Sequence, residues 1–384
     1  MQTRSSSNCH TTAVHRSYDA YRQARFFSSL DGLRCLSILA VIWHHTGIRT
    51  GGVHLAEAGY LGVDLFFAIS GFLITTLLLR EKEQCGQISL KAFYLRRSLR
   101  IFPLYYTIIV VYLIAVWAID RNTIAGLEFF KNLPYFLTYT SNWFVQLDGR
   151  VIFYFAWSLA TEEQFYLVWP SAEKFLTRWQ APILAIALLI VRALAELAVT
   201  SGLLPPSHLG VVILLSVHPA ILGGVIMAHV LHDRRTFDLV KSALAARMTA
   251  PLILLGLVAA VELIVPITLI WTLMTLLVGS VVIRESNGLA RLLTWRPIAH
   301  IGLISYGMYL MHMLCNDAVK RLMFASGLES GWLGFPATAV ITTLAATISY
   351  RYYESWFLQV KNRFTRVSTR HPVGSSHVSS TLIG

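Results

Sequence analysis

Leu30-Asp31-Gly32-Leu33-Arg34-Cys35-Leu36-Ser37-Ile38-Leu39-Ala40-Val41-Ile42-Trp43-His44-His45 is an apolar stretch that opens on an arginine and closes on a histidine. Ionisable groups inside a membrane helix are costly, and where they persist they usually have a task. Arg34 and His45 are close to three helical turns apart, so they share a face. They sit roughly 16 Å apart along the axis, about half the hydrocarbon thickness. One helix therefore carries a fixed positive charge near one membrane face and a titratable base near the other.

The rest of the chain has the composition of a membrane protein. Of its 384 residues 14% are charged and 55% hydrophobic, with a mean hydropathy of +0.58. A soluble domain carries about a quarter charged residues. Apolar runs recur over 30–47, 60–79, 101–119, 151–171, 181–200, 210–231, 250–266, 267–283, 298–316 and 333–357. The expected fold is all-α: a polytopic membrane protein of about ten transmembrane helices.

A net charge of +12 would suit nucleic acid, but its distribution argues for topology instead. Alternate connecting segments hold about 23 Lys and Arg against about 6, the bias that marks cytoplasmic loops. Both termini are thereby expected in the cytoplasm, as an even span count requires. The expected partner is the lipid bilayer of the cell inner (plasma) membrane, with no nucleic acid. Residues 1–29 and 358–384 read as disordered cytoplasmic tails around a membrane domain, 30–357. Segment 129–147, with Pro134 and several Thr, Ser and Asn, reads as a re-entrant or surface element on the outer side. Cys9, Cys35, Cys85 and Cys315 form no CxxC or Cys/His spacing, so no metal or disulfide is indicated.

Four more stretches carry candidate chemistry. Gly59–Phe72 places Asp64 at a depth similar to His45, where a carboxylate could orient the imidazole; a helix-end carboxylate is the plainer reading. Gly62 and Gly71 allow close helix approach. In Arg96-Arg97-Ser98-Leu99-Arg100-Ile101-Phe102-Pro103, Arg97 and Arg100 share a face one turn apart. Arginine suits bidentate phosphate recognition, as in coenzyme A, although arginines at a span end also anchor topology. Trp157-Ser158-Leu159-Ala160-Thr161-Glu162-Glu163-Gln164 sets two acids at membrane depth, with Ser158 and Glu162 on one face. Either the acids are catalytic or an Arg–Glu pair ties helices together. Ser305, Tyr309 and His312 form a polar stripe that points into a cavity or joins two helices. His218 and His229 read as packing histidines.

These five stretches, in this order, resemble the membrane acyltransferase 3 family over roughly residues 28–357. The matching motifs are Leu-Asp-Gly-Leu-Arg with a histidine eleven residues after the arginine, Gly-x-x-Gly-Val-Asp-x-Phe-Phe-x-Ile-Ser-Gly-Phe, Arg-Arg-x-x-Arg-Ile-x-Pro, Trp-Ser-Leu-x-x-Glu-Glu-Gln-Phe-Tyr and Ser-Tyr-x-x-Tyr-Leu-x-His. The resemblance implies an O-acyltransferase that delivers an acyl group, usually acetyl from acetyl-CoA, to a hydroxyl of a saccharide or glycolipid acceptor. It implies that His45 is the essential histidine and Arg34 its paired arginine. His44 points about 100° away and should tolerate change.

Within that frame Arg96, Arg97 and Arg100 would dock the phosphates of acyl-CoA, which is a donor substrate and not a resident cofactor. The thioester would pass Arg34 toward His45, acting as general base with Asp64 orienting it or as a covalent acyl relay. Glu162 and Glu163 complete the catalytic set; Trp157, Ser158, Ser305, Tyr309 and His312 line the substrate channel. Tyr135, Tyr139, Trp143 and Phe144 on the outer side could stack on sugar rings or form an interface belt. Several relatives add a soluble hydrolase-like domain that these residues lack, so transfer is expected within the membrane domain or through a separate biosynthesis or export partner. Two other readings stay open: a proton-coupled transporter of an acidic or acylated metabolite, and a non-catalytic scaffold. The first is weakened by the absence of an internal repeat.

Overall fold

Long apolar blocks separated by short polar turns fold as helices, and the described residues contain no strand. The computed structural model describes residues 18–24, 26–47, 52–147, 151–327 and 331–364. Cys9 and the outer parts of both tails lie outside them. The chain runs through α1 (Ser28–Thr46), α2 (Leu61–Cys85), α3 (Leu90–Ile119), α4 (Ile124–Leu137), α5 (Ala156–Phe175), α6 (Gln180–Thr200), α7 (Leu209–Leu215) and α8 (Pro219–His232). It continues through α9 (Arg234–Leu244), α10 (Thr249–Glu262), α11 (Ile267–Ile283), α12 (Arg296–Leu303), α13 (Ser305–Ala325), α14 (Gly331–Ser349) and, after a π turn at Tyr350–Glu354, α15 (Ser355–Asn362).

Helices α1 and α2 form the centre. A helix that is apolar all round belongs in the interior, whereas one with a single stripe lies at the edge. The apolar window containing α2 is 83% buried, and that of α6 only 11%. Small residues let the central helices touch. A side chain on Gly71 of α2 would strike the Ile221 carbonyl of α8, and one on Gly224 would meet the Ala68 carbonyl and, at 2.6 Å, the Phe72 nitrogen. Gly62 rests in the same way on the Ser37 carbonyl of α1. Close helix approach at Gly62 and Gly71 is thus observed.

The expected spans correspond to helices, but several are interrupted. The 210–231 span bends by 47° between α7 and α8, and the 298–316 span by 77° between α12 and α13. Four helical segments are long and apolar enough to cross a membrane, or up to seven if each bent pair counts once. About ten crossings came from treating every apolar run as one span, whereas helices such as α11 are short. Segment 129–147 is itself mostly helical, ending α4 and adding the one-turn Ser141–Phe144.

Upstream of α1, part of the expected tail is packed. Residues 18–23 are helical, and Tyr21 is buried between Phe27 and Phe237. Burial pushes the Tyr21 phenol up to about 12, against the pull of Arg80, which lies 5.7 Å from its ring centroid.

Candidate active site

Two observations locate the site: a charged cavity at one end of α1 and a pair of contacting histidines at the other. The cavity encloses about 100 Å³ between α1, α2, α3, α5 and α13. Arg34, Arg97, Arg100, Glu162, Glu163, Ser158, Ser305 and Tyr309 all line it. Three guanidinium groups and two carboxylates face it. Ser305 reaches it because α13 starts afresh after the sharp bend at Ile304. Irregular backbone at membrane depth is tolerated where it borders a cavity, and the first turn of α13 turns its positive dipole end there.

Several of these groups are held by neighbours. Ser89 caps α3, its hydroxyl accepting from the Ala92 nitrogen at 3.4 Å. Arg97 stacks on the Tyr166 ring at 4.6 Å. Glu162 accepts hydrogen bonds from the hydroxyls of Ser70 and Tyr166. Neither Glu162 nor Glu163 forms an ion pair with Arg97 among the described residues, so the expected structural Arg–Glu pair is absent there. Arg34 donates to Asp31 at 3.1 Å. Ser158 and Tyr309 bring their hydroxyls within 2.5 Å of each other beside the Phe155 carbonyl.

Arg96 does not join its neighbours. A rotation of one residue turns it away from the cavity, where it donates to Glu81 at 3.1 Å and to the Phe364 carbonyl at 2.9 Å. The expectation that all three arginines face one ligand is corrected to Arg97 and Arg100.

His45 is half-buried at the far end of α1 and His312 fully buried beside it, ring centroids 4.9 Å apart. His312 Nδ1–H donates to its own helix at the Tyr309 carbonyl, 2.5 Å. That leaves His312 Nε2 as an acceptor, 3.2 Å from His45 Nδ1. His45 Nδ1–H also points to the Val41 carbonyl at 2.9 Å. With Nδ1 carrying the proton, Nε2 of His45 keeps a free lone pair. Asn316 adds a bond to the His45 carbonyl at 2.9 Å. His44 is exposed and bonds the Glu57 carbonyl at 3.2 Å.

Asp64 does not orient His45. Its carboxylate accepts from Trp271 Nε1 at 2.7 Å and lies 3.3 Å from His218 Nε2. The reason is register: depth along the membrane matches, but the side chain points toward α8 and α11. His218 is therefore more than a packing histidine, and His229 likewise pairs with Glu173 at 2.6 Å. In segment 129–147, Tyr139 is buried against Tyr105, and Tyr135 stacks on Phe144. Trp143 bonds Ser216. Trp157 lines a separate neutral cavity instead of the charged one.

Tyr154 escaped the sequence reading. Its ring contacts His45 at 5.6 Å. It is placed by Phe153, which adopts a left-handed φ of 65° and is held there by Tyr112, Phe136 and Phe155. No local signal in a Phe-Tyr-Phe run announces such a turn.

Comparison with known proteins identifies relatives of the chain. Peptidoglycan O-acetyltransferase OatA of Listeria monocytogenes is 35% identical over 166 residues, covering 40% of this chain and 25% of that protein. An O-acetyltransferase of Staphylococcus aureus, named provisionally, is 34% identical over 163 residues, 40% of this chain and 26% of its own. YrhL of Bacillus subtilis, provisionally a peptidoglycan O-acetyltransferase, is 25% identical over 377 residues, covering 88% of this chain and 56% of itself. The chain thus spans from a quarter to about half the length of these curated relatives. No solved structure matches. A family model described as an acyltransferase domain matches residues 27–351, and the chain belongs to that acyltransferase 3 family.

Proposed function

We propose that the protein is an integral membrane O-acyltransferase that moves an acyl group, acetyl from acetyl-CoA, to a hydroxyl of a cell-wall or other surface saccharide. The observation that carries this reading is one line of contacts. Tyr309 closes the charged cavity, His312 bonds the backbone of Tyr309, and His45 touches His312 and then Tyr154. Arg97 and Arg100 would take the phosphates of the donor, and Arg34 would meet the pantetheine arm on its way to His45. The distribution of basic residues supports cytoplasmic termini and a cytoplasmic opening of the charged cavity, and the cell inner membrane is the location that goes with this reading. The names of the relatives support a peptidoglycan-like acceptor.

In direct transfer, His45 Nε2 takes the acceptor proton while the acceptor oxygen bonds the acyl carbon. The carbon–sulfur bond breaks, and the departing thiolate receives the proton. In the relay variant, Nε2 bonds the acyl carbon as the carbon–sulfur bond breaks and coenzyme A leaves as thiolate; the acceptor oxygen then bonds that carbon, the nitrogen–carbon bond breaks, and the acceptor proton goes to the thiolate. General-base catalysis contributes about 10²–10⁴-fold. Either route requires Nε2 to be unprotonated, which the donation from Nδ1 favours. Glu162 and Glu163 would balance the arginines around the bound donor, while the Ser158–Tyr309 pair offers hydroxyl donors to the thioester oxygen.

Thiol release from acetyl-CoA is the test, using purified protein with a cell-wall glycan fraction, wild type beside His45→Ala. Glycan-dependent release that the variant loses is the expected result. Full activity in a folded variant removes His45 from the chemistry. Flux of an acidic metabolite without acyl-CoA turnover would establish the transporter reading instead.

A further inference from the structure

Beyond Tyr154 lies a second cavity of about 360 Å³, within the range of about 300–1,000 Å³ usual for small-molecule sites. Its walls come from the Ser141–Phe144 turn, from α5 and from the broken joint between α7 and α8. Among the described residues that line it there is no lysine, arginine or carboxylate. Its histidine, His218, is already held 3.3 Å from Asp64, so among the described residues no free cation faces it.

The polar atoms that remain are mostly acceptors. Asn142 spends both amide protons, on Gln164 at 2.9 Å and on Thr161 at 3.2 Å. Gln164 returns one bond to Asn142 Oδ1 at 2.9 Å, leaving that oxygen a second lone pair. Thr161 donates to the Trp157 carbonyl at 3.1 Å, so its free capacity is also an acceptor. Ser141 is only 3% exposed, and its hydroxyl has no partner among the described residues. A buried hydroxyl without a partner is unfavourable, and a ligand that bonds it removes the penalty. Trp157 and Tyr154 supply aromatic surface.

The ligand that fits is neutral, rich in hydroxyl donors, and carries an apolar ring face. Backbone strain points to the same place. Tyr139 and Phe153, two bulky residues in the left-handed region at φ 53° and 65°, bracket the turn that carries Ser141 and the segment that carries Tyr154. Such strained residues gather at ligand sites.

We propose that this cavity docks the saccharide ring that receives the acyl group, an inference that rests on the acyltransferase reading above. The ring packs against Trp157, its hydroxyls donate to Asn142 and Thr161 and bond Ser141, and one hydroxyl passes Tyr154 to reach Nε2 of His45.

The test uses the full chain in lipid nanodiscs, with the tetramer of N-acetylglucosamine as probe and tryptophan fluorescence as the binding signal. Ser141→Ala removes a partnerless hydroxyl and should fold like wild type; Asn142→Ala is the second variant. Saturable binding is expected, weakened about fivefold by Ser141→Ala and tenfold or more by Asn142→Ala. The acceptor KM should rise in the same proportions without a matching rise for acetyl-CoA. No saturable binding by wild type, or equal affinity in both variants, overturns the proposal. Transfer that proceeds with an unmoved acceptor KM removes this site and keeps the acyltransferase reading. Variant-sensitive binding without any thiol release does the opposite.

Discussion

The two cavities differ in the currency of their recognition. The one between α2, α3 and α13 is narrow, with three arginines and two glutamates in its wall. The one beyond Tyr154 is wider and lined by polar and aromatic groups, with His218 already held by Asp64. Coulombic attraction acts at distance and without strict geometry, whereas hydroxyl-to-oxygen bonds need close fit. A polyanionic donor and a neutral hydroxylated acceptor would each be refused by the other's compartment. In the proposed scheme specificity would arise from that separation, with the histidine pair between Tyr309 of the one lining and Tyr154 of the other.

His45→Ala should break both sides of this contrast at once. Transfer is expected to fall about 10²–10⁴-fold or more, with the KM of neither substrate accounting for the loss; steady-state kinetics in nanodiscs checks it. The arginines should break one side only. Arg97→Ala and Arg100→Ala each raise the KM for acetyl-CoA about tenfold or more, as loss of a charged hydrogen bond of about 1.5–3 kcal/mol implies. Added salt should weaken donor binding in wild type and leave the acceptor KM alone.

His312 sharpens the boundary itself. It bonds His45 and touches no substrate in the proposed scheme, so it is a positioning residue. His312→Phe is expected to lower kcat about tenfold with both KM values little changed, and His312→Gln, which restores an acceptor toward Nδ1, should retain more activity. Arg96→Ala gives the smallest kinetic effect. Because Arg96 serves Glu81, the variant should lose about 1–3 kcal/mol of stability in a denaturant titration, with the donor KM near that of wild type. An Arg96→Ala effect as large as that of Arg97→Ala would return it to the donor site.

What could be read from the sequence was whatever one continuous helix displays. The shared face of Arg34 and His45, the pairing of Arg97 with Arg100 and the polar stripe on α13 follow from helical spacing alone. The membrane class followed from composition. Contacts between distant segments were hidden: Trp271 lies 207 residues from the Asp64 it serves, and nothing local in either names the other. Asp64 was assigned to His45 because depth along a helix can be read from sequence, whereas the direction of the side chain needs the neighbouring helices. The bends at Ser216–His218 and Ile304 were hidden too, since an apolar run looks the same whether straight or broken. For that reason the neutral cavity, formed at one such break, had no signature in the chain.

The joint at Gly71 and Gly224 has a consequence for traffic between the compartments. Backbone meets backbone there, without side chains to cushion a slide. Ser70, the residue before that joint, faces the charged cavity. His218, which opens α8, faces the neutral one. Any breathing of α2 that admits a donor must therefore drag on the wall that receives an acceptor. Two ligands leaning on one stiff hinge cannot bind independently: each alters the other's affinity by the same factor, so the enzyme would keep a ledger of both substrates in a single mechanical part.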